Sequence, residues 1–183
     1  GARGTRAAVA ELGLAHGEAF GMDAITDGRL FGLPLAQLKI TLTDLGLTAP
    51  TSHIGGAFTS NAAAAEAANA LGIGALIVAL PSEFSGERGM VAAQSIEQLD
   101  RLAERLNAAA RELAAHGVQF GYHNHHVEFL EVDGQVPFDY LMQNTDPDLV
   151  KIELDLGWLA IAGVDAHEYL LRYQGRVIAC HLK

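Results

Sequence analysis

The feature that most constrains this chain is a strict alternation of strand-like and helix-like segments. Strand-length apolar runs occur at Leu14 to Phe20, Pro50 to Ile54, Ala75 to Leu80, 118–125, Lys151 to Leu156 and Val177 to Leu182. Helical patterns lie between them. Pro34 opens one, with Leu35, Leu38, Leu42 and Leu45 at three-to-four spacing and Gly46 closing it. An alanine-rich helix is expected over 60–71 and a long one over about 95–115. In the long one Ser95 and Gln98 have capping-box spacing, and Ile96, Leu99, Leu102, Leu106 and Leu113 share a stripe. Pro137 to Gln143 reads as a short helix, and Asp165 and Glu168 head a last one that Gly175 ends. Residues 5–12 read as the tail of an earlier helix. Such alternation implies parallel strands with crossover helices, either a doubly wound sheet or a (β/α)8 barrel.

The faces of the strands separate the two. In a doubly wound sheet both faces lie under helices and are apolar. Here Ile152, Leu154 and Leu156 oppose Lys151, Glu153 and Asp155. Val118, Phe120 and Tyr122 likewise oppose Gln119, Gly121, His123 and His125, and Ile178, Cys180 and Leu182 oppose His181 and Lys183. Apolar residues outward under helices and polar ones inward suit an α/β fold of the TIM-barrel type, whose active residues collect at the C-terminal strand ends. A complete (β/α)8 TIM barrel takes about 250 residues. The expectation is therefore an incomplete barrel holding about strands 2 to 7, one domain over 1–183, truncated at both ends. Unpaired edges would leave such a piece inactive and prone to aggregate.

Composition narrows the partners. The net charge is −10, which argues against a nucleic-acid partner and an anionic membrane surface. Half of the residues are hydrophobic and 19% are charged, enough to bury one core. A single cysteine, Cys180, excludes an internal disulfide, and its place on the outward face suggests inert packing. No apolar run reaches transmembrane length. A cytoplasmic location is favoured, although an export signal preceding Gly1 would be invisible.

The densest chemistry lies in Gly121-Tyr122-His123-Asn124-His125-His126-Val127-Glu128-Phe129, where imidazoles and a carboxylate crowd one strand end. By alternation His123 and His125 face inward and His126 does not. Asp155, in Glu153-Leu154-Asp155-Leu156-Gly157-Trp158, ends the next strand, where it could be a ligand, an ion-pair partner of Lys151 or a helix cap. Glu153, one layer deeper, is expected to pair with Lys151. Trp158 is either core or a flat wall for a sugar ring. His181 adds a third nitrogen donor near the end of the chain, and Lys183 on its face could hold an oxyanion or a phosphate. Glu18 and His53 end earlier strands. Together Asp155, His181 and the histidine stretch make an N/O ligand set for one divalent metal (Mn, Mg, Co or Zn). No glycine pattern matches a dinucleotide or phosphate loop, and no serine-centred nucleophile elbow is present.

With these residues assembled, the chain resembles the sugar phosphate isomerase/epimerase family, the xylose isomerase-like (endonuclease IV-like) TIM barrels. Gly17-Glu18-Ala19-Phe20, Ser52-His53-Ile54-Gly55, Tyr122-His123-Asn124-His125 with Glu128-Phe129, and Glu153-Leu154-Asp155 with Trp158 and His181-Leu182-Lys183 carry the resemblance. It implies one divalent metal at the barrel mouth, held by residues from strands five to eight. Asp155 corresponds to the strand-six ligand and His181 to the strand-seven ligand. At strand five, where many members have glutamate, the place falls to Glu128, His123 or His125, and the strand-eight glutamate lies outside the chain.

The implied chemistry is proton transfer beside a carbonyl through an enediolate, giving a sugar or sugar phosphate isomerase or epimerase. With a leaving group beta to the carbonyl, the same step makes a lyase or dehydratase on keto-sugars or inositol derivatives. Glu128 is then base or metal ligand and His125 acid or substrate holder; Asp155 and His181 are metal ligands. Glu18, His53, His123, Trp158 and Lys183 line the substrate, a small sugar, and a homo-oligomer is compatible with this reading. A trinuclear DNA-repair enzyme would need a basic groove, and a non-catalytic barrel would leave these groups unconverged.

Overall fold

The computed structural model describes residues 8, 10–25, 28–30, 32–58 and 61–183. Six parallel strands form one sheet: β1 (Ala19–Phe20), β2 (Thr51–Ile54), β3 (Ala75–Ala79), β4 (Gln119–His123), β5 (Val150–Asp155) and β6 (Val177–His181). They pair in chain order, without the reversal of a doubly wound sheet. The crossovers carry α1 (Leu35–Asp44), α2 (Asn61–Leu71), α3 (Ile96–Ala115), α4 (Pro137–Gln143), α5 (Leu156–Ala162) and α6 (Ala166–Arg172).

The sheet is curled. Five inter-strand spacings of about 4.8 Å would hold the first and sixth strands of a flat sheet about 24 Å apart. Yet Glu18, just before β1, lies 2.8 Å from His181 on β6. The fold is a (β/α) half-barrel of a TIM-type barrel. Its two edges are β1 and β6, where Phe20 is 66% exposed and Leu182, just past β6, is 81% exposed.

Each strand divides as its alternation predicts. Leu76, Val78, Phe120, Tyr122, Ile152 and Leu154 join the apolar layer under the helices, all essentially buried. On α3 the stripe Leu99, Leu102, Leu106 and Leu113 closes that layer. Ser95 caps α3 by accepting from the Gln98 amide N–H, while the Gln98 side chain accepts from Gln94 N, one residue earlier than a capping box requires. The expected strand from Leu14 shortens to Ala19–Phe20, with only an isolated bridge from His16 to Thr48 before it. Of the expected helix over 5–12, Ala8, Ala10 and Glu11 are helical and 5–7 and 9 lie outside the described residues.

At the C-terminal ends, the loops after β2 and β3 lock together. A Cβ on Gly56 would sit 2.2 Å from the Leu80 carbonyl oxygen, so only glycine fits. Arg105 of α3 donates to the Gly56 and Ala57 carbonyls and pairs with Glu83. Among the described residues no helix is long and apolar enough to cross a membrane.

A half-buried clasp joins α4 to α6. Asp139 accepts from Tyr169 at 2.9 Å and from Tyr173 at 2.6 Å, and Arg172 adds a third contact. Burial, then the Asp139 hydrogen bond and charge, raise both phenol pKa values well above the ordinary one. A raised folded-state pKa means stability is intact below the unfolded value of about 10 and is lost as pH rises past it. The wild type should therefore lose more stability between about pH 8 and about pH 10.5 than a Tyr169→Phe/Tyr173→Phe variant, read from urea midpoints. Equal losses would refute a pH-sensitive clasp.

Candidate metal centre

Three successive strands deliver their last residues to one point. Register places His181 beside Asp155, and His123 beside Glu153. His123 Nε2 lies 3.4 Å and His181 Nδ1 3.5 Å from the same oxygen, Asp155 Oδ2. Donors bonded at about 2.0–2.1 Å around a tetrahedral ion stand about 3.4 Å apart, and both of these spacings match that value. Asp155 Oδ2 is fully buried and accepts no well-aligned hydrogen bond; its close charged neighbour is Lys183 Nζ at 2.6 Å.

Local structure explains why Asp155 points there. It ends β5 and caps α5, with Oδ1 accepting from Trp158 N at 2.9 Å. Asn124 grips its peptide from the side. The Asn124 carbonyl oxygen accepts from Asp155 N at 2.9 Å and its amide donates to Asp155 O at 3.3 Å. Fully buried Asn124 was not singled out from sequence, although its place between His123 and His125 was a signal. One Asp155 oxygen is thus anchored and the other is aimed at the two imidazoles. Burial would raise the Asp155 pKa, but Lys183 and the Trp158 N–H outweigh burial and lower it.

A second tier lies beneath. Glu153 does not pair with Lys151, whose ammonium donates to the Pro147 carbonyl at the other end of the strand. Instead Glu153 Oε2 meets His123 Nδ1 and His53 Nε2, each at 2.7 Å, and His181 Nε2 at 3.5 Å. The donor atoms of His53, His123, Glu153 and His181 all lie within 4.8 Å of one another. Glu18 Oε2 approaches His181 Nε2 at 2.8 Å and His53 Nε2 at 3.3 Å, and its other oxygen accepts from Thr51. Burial favours a protonated Glu153, yet the His123 and His53 hydrogen bonds prevail and hold its carboxyl far below the usual range. Burial lowers the His123 pKa, only partly offset by Glu153. At His53, burial is outweighed by Glu153 and Glu18, and the pKa rises.

The expected residues divide accordingly. Asp155, His181, His123, His53, Glu18 and Lys183 converge. Glu128, expected as base and metal ligand, is held elsewhere: one oxygen accepts from Tyr122 OH and the other from His125 N, each at 3.0 Å, and the residue is fully buried. Tyr122 packs on the helix side with Phe138, so Glu128 braces the turn behind the strand end. His125 Nδ1 is buried without a hydrogen bond, 3.8 Å from Glu128 Oε1, and its ring lies 5.0 Å from that of His123 and 5.5 Å from that of Trp158. Half-buried Trp158 stacks on His126 with Lys183 over its ring, so it packs as a wall of the same corner.

The half-barrel agrees with the comparison to known proteins. Residues 7–183 match the model of the xylose isomerase-like TIM barrel family. The chain belongs to that family. Within it, a sugar phosphate isomerase/epimerase from Parabacteroides distasonis superposes with a TM-score of 0.79 at 23% identity, covering 98% of this chain and 68% of that one. A magnesium complex of a xylose isomerase-like TIM barrel protein from Mycobacterium smegmatis superposes with a TM-score of 0.74 at 16% identity, covering 99% and 65%. These likenesses are of fold. In sequence, an inosose dehydratase from Lacticaseibacillus casei is 37% identical over 90 residues, which are 48% of this chain but 28% of that relative.

Proposed function

We propose that this family member is a divalent-metal enzyme that moves a proton beside the carbonyl of a sugar- or polyol-derived hydroxy-ketone. The observation that carries this reading is the buried Asp155 Oδ2 facing His123 Nε2 and His181 Nδ1 at 3.4 and 3.5 Å. These three residues would hold the cation. When bound, it would supply Lewis-acid polarisation of adjacent carbonyl and hydroxyl oxygens. His123 then takes the strand-five role that sequence left open among Glu128, His123 and His125.

His125, whose ring stands 5.0 Å from His123 and 5.5 Å from Trp158, is the residue we assign to proton transfer. Lys183 would turn its ammonium to a developing oxyanion, and Trp158 would wall one side of the ring. The acidic chain favours a small neutral polyol over nucleic acid. Between the two outcomes of the shared first step, likeness to inosose dehydratases supports elimination of water from a cyclic polyol ketone over isomerisation or epimerisation. The test is solvent deuterium exchange next to the carbonyl of an inosose and of a ketohexose, with and without added Mn2+ or Co2+. Metal-dependent exchange with the inosose, accompanied by dehydration, is expected. Exchange with neither class would overturn the proposal, and epimerised ketohexose without dehydration would favour the second outcome.

A further inference from the structure

An imidazole that ligates through one nitrogen must carry its proton on the other, and the partner of that second nitrogen decides which is which. In this site the two metal-facing rings use opposite nitrogens. His123 turns Nε2 to Asp155 Oδ2 and Nδ1 to Glu153 Oε2 at 2.7 Å. His181 turns Nδ1 to Asp155 Oδ2 and Nε2 to Glu18 Oε2 at 2.8 Å. On the side away from Asp155 each ring therefore has a different nearest carboxylate, although Glu153 Oε2 also lies 3.5 Å from His181 Nε2. His53 ties the two carboxylates together, with Nε2 at 2.7 Å from Glu153 and 3.3 Å from Glu18, while Thr51 donates to the free oxygen of Glu18 at 2.7 Å.

We propose that Glu153 and Glu18 are positioning residues, each fixing the tautomer and tilt of one metal-facing histidine, Glu153 for His123 and Glu18 for His181. This rests on the metal reading above. The physical reason is directional. A carboxylate accepts only, so it forces N–H on the nitrogen it meets and leaves a lone pair on the other. Both lone pairs then point at one buried carboxylate oxygen, an arrangement of three acceptors that positive charge stabilises, and Lys183 Nζ already stands 2.6 Å from that oxygen. Glu18 and His53, which sequence placed against the substrate, become the support of the ligands in this view.

The experiment compares wild type with Glu153→Gln, Glu153→Asp and Glu18→Gln. In metal-free protein at a pH where the rings are neutral, long-range 15N NMR should find His123 protonated on Nδ1 and His181 on Nε2. Glu153→Gln should disturb the His123 tautomer and spare His181; Glu18→Gln should do the reverse. Co2+ affinity by calorimetry should fall about 10–100-fold in each Gln variant, with a changed Co2+ visible spectrum and a retained unfolding transition. Glu153→Asp, which keeps the acceptor, should recover part of the affinity. Lost affinity with both tautomers undisturbed would overturn the proposal, because charge alone would explain it. Wild type that binds no Co2+ sinks the metal reading and this inference together. Wild type that binds it, with both Gln variants equal to it, sinks this inference alone.

Discussion

Replacing Asp155 by Asn should abolish Co2+ binding while leaving the protein folded, and replacing it by Ala should remove stability as well. The two oxygens of Asp155 have separate tasks. Oδ1 caps α5 through Trp158 N, and Oδ2 faces His123 and His181. Asn keeps an oxygen for the cap but puts an NH2 where a cation needs a donor atom, and it turns a donor toward Lys183. Affinity should fall by more than about 100-fold, beyond the 10–100-fold typical of an outer-shell partner. Ala leaves the α5 terminus uncapped as well, a further cost of about 1 kcal/mol. Calorimetric Co2+ titration and urea unfolding of both variants separate the two tasks. An Asn variant that binds Co2+ as tightly as wild type would remove Asp155 from the ligand set.

Phe138→Ala should be the most destabilising single truncation in this part of the fold, by about 3–5 kcal/mol. Phe138 is fully buried at the start of α4. Its ring stacks on Phe129 at 5.3 Å and meets Tyr122, Tyr169 and Tyr173 at 6.3, 5.9 and 5.6 Å. Those neighbours come from β4, the turn after it, and the α6 end, so the cavity could not close by moving one element. The damage should also spread toward the metal centre. Tyr122 holds Glu128, and Glu128 holds the His125 backbone. Phe138→Leu, which keeps most of the volume, should cost much less. A loss below about 1 kcal/mol for the Ala variant, by urea denaturation, would show that this cluster is not the keystone of the region.

The alternation of strand and helix patterns sufficed for the architecture. Period-two strands and three-to-four helices are local patterns, so their order follows from neighbours in the chain. The polar inward face of β5 distinguished a barrel from a doubly wound sheet, and Glu153 and Asp155 do face the interior. Asp155 and His181 were legible as a pair because both stand at strand ends, where a barrel gathers its side chains.

Other assignments failed for a physical reason that can be named. Alternation governs a residue only while the strand lasts, and β4 ends at His123. Beyond it a short helical turn over Val127–Phe129 carries Glu128 back under Tyr122, where it accepts from Tyr122 OH and His125 N. Lys151 and Glu153 share a face, but they stand two residues apart along the strand, so the lysine reaches the far end of the barrel instead. The partners of Glu153 are His123 on the neighbouring strand and His53, one hundred positions earlier in the chain. Sequence alone determined the elements, their order and the strand ends that carry chemistry, because these depend on contacts a few residues apart. Only the curl of the sheet decided the remaining partners, because Glu18 and His53, from the first two strands, meet His181 and Glu153, from the last two, only when β1 and β6 swing toward each other.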